Sequence, residues 1–357
     1  MQRVLPFINS SNMNHKTPVA LLLNDIHISK DNLPEFQTNW NEAIQICIDK
    51  GISDMIIGGD LWQSRSAQTL DVLMAVRQAI LKATAQGLYL TIAEGNHCKV
   101  DQESLLGYSH IFSAYPNVDV IDSYTVIDIS DSTVLYVMSY FPENGSFIER
   151  LNQLLNKDFD KNKYNVLYIH EGIRGGLAIP SDDELPASIF EPFDAVLVGH
   201  YHDRKRVPGT KIEYIGASRQ HNFGEDEEKG YTILFDDGSY EFIKNKANTR
   251  YKTQILNFAD LQEGAFSVSN DGIPHKLRLC VRCTSAEAST IDKKKLIEMG
   301  CTKVEVVTED TVAKEVANHA LEHKFDKNGI KAEYATFCAD KGIANVEMGL
   351  QYLDKIN

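Results

Sequence analysis

Short apolar runs alternate with stretches of helical spacing through the first two thirds of the chain. Residues 19–23, 55–57 and 88–93 read as buried strands. Between the first two, Phe36, Trp40, Ala43, Ile44, Cys47 and Ile48 recur at helical intervals, and Gly51 closes that helix. Leu70, Leu73, Val76 and Ile80 mark a second helix. Further strands are predicted over 118–121, 126–129, 134–139, 166–169 and 195–198, with a helix over 147–155. Residues 211–215, 231–235 and 240–243 give a β-rich finish. Strands separated by helices predict α/β layering.

The pattern changes after about residue 245. Strands are predicted over 253–256, 276–283 and 303–307, with a helix over 291–299, which makes a small α/β module. From Thr311 the chain reads as mostly helical, broken near Asn328 and Gly329. In its last piece Ile343, Val346, Leu350 and Leu353 share one helical face, fit to pack on its own domain or on a partner. The expected division is therefore 1–245, 246–310 and 311–357.

Composition narrows the class. Of 357 residues, 43% are hydrophobic, enough for a large core. No apolar run approaches the roughly 20 residues that a membrane helix needs, and the first residues break into Asn and Ser too early for a signal peptide. A cytoplasmic protein without a membrane partner is expected. Six irregularly spaced cysteines fit reduced thiols. The net charge of −14 is unevenly spread: −15 over residues 1–243, +5 over 244–303 and −4 over 304–357. The basic segment contains Lys293, Lys294 and Lys295. It reads as a solvated face or as a surface for phosphates.

The chemistry lies just beyond five of the predicted strands. "NDIH" brings Asp25 and His27, "GGDLW" Asp60, "EGNH" Asn96 and His97, "HEG" His170, and "GHYH" His200 and His202. The carboxyl ends of strands are where α/β sheets build sites. Carboxylate, imidazole and amide donors suit Mn²⁺ or Fe²⁺, with Mg²⁺ and Zn²⁺ as alternatives, and no thiolate set is present. There are too many donors for one ion. Two ions bridged by a carboxylate would use them all, activating a water and neutralising phosphate charge.

In this order the motifs resemble the calcineurin-like metallophosphoesterase superfamily. Within it, the chain is similar to the SbcD-type nuclease subunit, the bacterial and bacteriophage counterpart of the meiotic-recombination-eleven nuclease. "IIGGDLWQSRSAQTLDVL" and "YIGASRQHNFGEDEEKGYTIL" add to that resemblance. It implies a four-layer β-sandwich flanked by helices, with a small capping domain and a helical tail. Asp25, His27, Asp60 and His202 would hold one ion. Asp60, Asn96, His170 and His200 would hold the other. His97 would stabilise the transition state or protonate the leaving oxygen. The implied reaction is Mn²⁺-dependent hydrolysis of DNA phosphodiesters in end processing and recombination. The implied partners are DNA and an SbcC-type, SMC-like ATPase, in a homodimer within a heterotetramer. Another phosphodiesterase or phosphatase of the superfamily, or a non-catalytic DNA-end scaffold, are the alternatives.

One position departs from the pattern. Where the family carries a carboxylate after Gly-Asn-His, this chain has Cys98. The carboxylate is expected to orient the catalytic imidazole, and Asp101 or Glu103 is expected to reach back in its place. Cys98→Asp should then leave activity similar or higher. Cys280 and Cys283 fall on opposite faces of a strand and do not read as a zinc pair. Trp62 and Tyr201, beside candidate ligands, read as wall packing ahead of nucleotide stacking. His221, in "RQHNFG", is expected near the substrate or in packing.

Overall fold

The computed structural model describes residues 16–177, 183–266 and 272–308, the backbone of 2–4, and isolated positions between 331 and 350. The chain divides into two compact units, Met1–Tyr251 with Asp271–His275, and Lys252–Asn270 with Lys276–Asn357.

In the first unit, strands and helices follow one another as β1 (Gln2–Val4), β2 (Pro18–Leu23), α1 (Leu33–Lys50), β3 (Asp54–Gly58), α2 (Leu70–Ala85) and β4 (Tyr89–Ala93). Next come β5 (Val118–Ile121), β6 (Tyr124–Ser130), β7 (Thr133–Met138), α3 (Phe147–Lys157), β8 (Tyr164–His170) and β9 (Ala195–Gly199). The unit finishes with β10 (Lys205–Arg206), β11 (Ile212–Tyr214), β12 (Gly230–Phe235) and β13 (Tyr240–Lys244). One sheet runs β13-β12-β2-β3-β4-β5, with β2 to β5 parallel. The other runs β1-β6-β7-β8-β9-β11-β10, parallel from β7 through β11.

Three apolar layers bind these sheets. Leu22, Ile56 and Ala93 of one sheet meet Leu135, Val166 and Leu197 of the other. Phe36, Trp40, Val76 and Ile80 of α1 and α2 cover the outer face of the first sheet. Phe147, Leu151 and Leu154 of α3 cover the outer face of the second. The result is the expected four-layer α/β sandwich. Its central strands are apolar on both faces, which is why they read as continuous runs and not as alternations. The two strands that the pattern misses in this unit, β1 and β10, are short edge pieces without a periodicity of their own.

Register aligns the strand ends. Leu23 pairs with Ile57, Gly58 with Ala93, and His170 with Gly199. The loops carrying the five motifs therefore begin level with their neighbours.

In the second unit, β14 (Arg250–Asn257, whose first two residues belong to the first unit), β15 (His275–Cys283, whose first residue does too) and β16 (Lys303–Thr308) form a small sheet. Helices α4 (Phe258–Gln262), α5 (Ser285–Ala288) and α6 (Lys293–Glu298) accompany it. Leu277, Leu279, Val281 and Leu296 make its core. Cys280 lies on the other face of β15, where its thiol donates to Glu305 at 3.5 Å. Lys293, Lys294 and Lys295 are exposed on the first turn of α6, capped by Asp292. In the tail Val346 and Leu350 are helical and half-buried. Ile343 lies outside that helix, a correction to the single apolar face, and Leu353 lies outside the described residues. Thr311, Asn328 and Gly329 also lie outside them. Among the described residues, no helix is long and apolar enough to cross a membrane.

Trp40 joins α1 to α2, with its ring buried and its Nε1 donating to the Ala79 carbonyl at 2.8 Å. Trp40→Ala should destabilise the first unit by about 3–5 kcal/mol, seen as a lower urea midpoint.

Candidate metal centre

The loops after β2 and β3 are tied together backbone to backbone. Asp25 N donates to Gly59 O at 3.1 Å, His27 N to Asp60 O at 2.9 Å, and Ile28 N to Leu61 O at 2.9 Å. The backbone at the site is unusual. Asp25, His27, Asp60 and His200 have φ of +50°, +49°, +48° and +88°. Left-handed backbone at residues other than glycine costs about 1–3 kcal/mol each and clusters at functional sites. Gly95 is required for a different reason: a Cβ there would run into the Asp60 carboxylate.

The side chains converge. Asp25, His27 and His202 place donor atoms within 4.8 Å of one another, as do Asp25, Asp60 and His170, and also His27, Asp60 and His97. His27 Nε2 faces His202 Nε2 at 3.1 Å and Asp60 Oδ2 at 3.5 Å. His170 Nε2 lies 3.4 Å from Asp60 Oδ2 and 3.8 Å from Asp25 Oδ1. His200 Nδ1 meets the Asn96 amide at 3.3 Å. Asp60 thus stands between the two halves of the cluster.

Electrostatics shows what the cluster needs. Burial lowers His27 to about 4, against the pull of Asp60 and Asp25. Burial and the neighbouring His170 lower His200 to about 4. Burial also acts against His170, but Asp60 and Asp25 outweigh it and raise that ring to about 9. Asp60, although buried, is held well below the usual carboxylate range by His170 and His27. Asp25 Oδ1 and His27 Nδ1 are buried without a hydrogen-bond partner among the described residues. Two buried carboxylates, the His27 and His200 rings held neutral and an orphaned carboxylate oxygen fit divalent cations.

The outer ends of the candidate ligands are anchored. His170 Nδ1 meets the Gly58 carbonyl at 3.1 Å and His202 Nδ1 meets Glu225 at 2.8 Å, so each ring turns its Nε2 inward. Asn24 donates to Asp25 and receives the Tyr168 hydroxyl at 2.8 Å, a link from the second sheet to the first. Arg219, buried and paired with Glu35 at 3.2 Å, donates to the Ile26 carbonyl at 2.9 Å. His221 packs against the His27 and His202 rings, and its Nε2 lies 2.7 Å from the Asp25 carbonyl. Of these supports, His221 and Glu225 carried a signal, both within the resembling segment that follows the histidine pair. The others act through backbone or through folded neighbours.

His97 corrects the expectation at Cys98. Its Nδ1 meets the Gln63 carbonyl at 2.7 Å. Asp101 instead accepts from Glu103 N at 3.1 Å, and Glu103 accepts from the Ser146 hydroxyl. Cys98 is fully buried in the apolar cluster that holds Trp62 and Phe112, and burial pushes its thiol up. The support of the imidazole is thus a carbonyl, which no residue type announces. Trp62 is core: its Nε1 donates to Ser109 at 3.0 Å and its ring stacks on Phe112. Tyr201 packs between His200 and Tyr214, with its hydroxyl on Glu184 at 2.6 Å.

A fold and cluster of this kind define a metal-dependent phosphoester hydrolase. The calcineurin-like phosphoesterase profile matches residues 19–204, and the chain belongs to that family, which uses a dinuclear divalent metal centre. The chain is similar to 244L of Invertebrate iridescent virus 6, a protein named as a phosphoesterase. They are 27% identical over 252 residues, covering 66% of this chain and 84% of that protein. It is also similar to the SbcD component of the SbcCD nuclease of Staphylococcus saprophyticus, 26% identical over 208 residues. That match covers 50% of this chain and 54% of the nuclease component. Among solved structures, a dimetal phosphatase from Danio rerio aligns with TM-score 0.44 and 9% identity, over 61% of this chain and 93% of that one.

Two outcomes are expected. Tyr168→Phe and Glu225→Gln should each weaken Mn²⁺ binding about 10–100-fold in calorimetric titration, because Tyr168 holds Asn24 against Asp25 and Glu225 orients the His202 ring. Cys98→Asp should keep kcat within a few-fold yet lower Tm by several degrees, because it buries a carboxylate among apolar groups.

Proposed function

We propose that the chain is the nuclease subunit of a DNA end-processing complex. The observation that carries the reading is the convergence of Asp25, His27, Asp60, His170 and His202 at the shared edge of two sheets. Asp25, His27, Asp60 and His202 hold one divalent ion. Asp60, Asn96, His170 and His200 would hold the other. Mn²⁺ is the ion favoured by this donor set. When bound, the pair supplies an activated water and charge neutralisation at a phosphate.

The remaining steps fall to the chain. His97, steadied at Nδ1 by the Gln63 carbonyl, directs Nε2 to the reacting phosphate and carries a proton to the leaving oxygen. DNA as the substrate is supported by the similarity to the SbcD component of the SbcCD nuclease and by the basic balance of residues 244–303. Residues 1–245 serve as the nuclease domain and 246–310 as a cap. In the cap the exposed Lys293, Lys294 and Lys295 meet DNA phosphates. The tail, 311–357, receives an SbcC-type ATPase in the cytoplasm, as part of a homodimer within a heterotetramer.

The test is digestion of end-labelled linear DNA by the purified chain with Mn²⁺. Shortened products are expected, with a loss of at least about 100-fold in Asp60→Ala and His97→Ala. Turnover of aryl phosphates alone would instead mark another phosphoesterase. DNA binding without cleavage would mark a scaffold.

A further inference from the structure

His202 and Glu225 meet from different parts of the chain. His202 lies on the loop after β9, and Glu225 on the loop between β11 and β12. Each is followed by an aspartate, Asp203 and Asp226. Both aspartates turn to one ammonium. Lys229 Nζ donates to Asp203 Oδ1, and to Asp226 Oδ1 at 3.0 Å. Main-chain bonds run alongside: Ala217 N donates to the His202 carbonyl at 2.9 Å, and Gly230 N to the Ala217 carbonyl at 3.2 Å.

The side chain of Lys229 is wholly buried, which is rare for a lysine. An ammonium out of water is unfavourable unless charged partners meet it. The carboxylates that meet it are not themselves trapped. Asp203 and Asp226 keep 58% and 49% of their side-chain surface in water. They have no need of a buried lysine, so the bonds act on the loops that carry them. The stem of Lys229 leaves from a fixed point. Its carbonyl accepts from Asn245 N at 2.9 Å, just past β13, and a Cβ at Gly230 would run into the Ile243 carbonyl.

Glu225 is also held within its own loop. Its Oε1 accepts from the Asn222 amide at 2.8 Å, its Oε2 from His221 N at 2.9 Å, and its carbonyl from Gln220 at 3.1 Å. Those bonds aim the carboxylate. Lys229 fixes the loop that bears it to the residue after His202. We infer that Lys229 is a positioning residue for the metal centre, a role that rests on His202 as a ligand but not on DNA as the substrate. By joining Asp203 to Asp226 it sets how Glu225 turns the His202 ring.

Replacing a buried charge pair by an apolar chain of similar volume is often neutral to stability, and the freed aspartates return to water. Lys229→Met therefore separates positioning from folding. Wild type, Lys229→Met, Glu225→Gln and the double variant are titrated calorimetrically with Mn²⁺. In the metal-free proteins, exchange of the His202 Nδ1 proton with water is followed by NMR; that proton is present because the Glu225 carboxylate only accepts. Lys229→Met should weaken one of the two ions about tenfold, leave the other within about twofold, and keep the urea midpoint of wild type. Its His202 proton should exchange about tenfold faster, because the bond to Glu225 opens more often. The double variant should bind no more weakly than Glu225→Gln alone, since both changes act through one ring. Should Lys229→Met not fold, Asp203→Ala at the surface cuts the same link and should weaken the same ion about threefold. Mn²⁺ affinity and proton exchange that stay at wild-type values would overturn the inference. So would additive losses in the double variant, or equal weakening of both ions with a lower urea midpoint, which marks a merely structural residue. A wild type that binds no Mn²⁺ would remove the two-ion reading instead, and proton exchange would still decide whether Lys229 positions the ring.

Discussion

Two carboxylates, Asp25 and Asp60, are buried together at the carboxyl edge of a two-sheet sandwich, and the molecule is arranged around that fact. Like charges out of water repel and cost several kcal/mol unless positive charge joins them. Three rings, His27, His170 and His202, bring nitrogen atoms within 4.0 Å of these oxygens. Without cations, His170 takes up the balance by holding its proton to about 9. With cations, the same groups are candidate ligands. The centre is therefore built for a charge that the polypeptide itself supplies only in part.

Holding such a cluster requires stiffness. The left-handed backbone at Asp25, His27, Asp60 and His200 persists because surrounding bonds overdetermine it. Arg219 holds the turn before His27 from behind. Glu225 and the Gly58 carbonyl fix which nitrogen each ring presents. The Tyr168–Asn24–Asp25 chain ties the second sheet to the first. Ile26, Ile28, Leu61 and Trp62, which flank the strained residues, are buried in the layer under α1 and α2.

Much of this was legible along the chain. Runs such as 19–23 and 195–198 revealed the strands because both faces are buried, so strand identity did not depend on alternation. The residues just beyond them revealed the centre because metal donors are few in kind and fall at strand ends. Supports were harder to see. Gln63 acts through its carbonyl, and Cys98 looked like an altered ligand support only because it stands next to His97. Folded, its thiol belongs to the Trp62 and Phe112 layer. Edge strand β10 and helices α4 and α5 escaped notice because two to five residues carry no period.

The central claim is that this cluster would hold two divalent ions, with Asp60 serving both. Electron paramagnetic resonance of the protein titrated with Mn²⁺ tests it directly. The account predicts saturation at two ions per chain, with an exchange-coupled multiline signal appearing as the second ion binds. Saturation at one ion, or two ions giving only the six-line spectrum of isolated Mn²⁺, would contradict it.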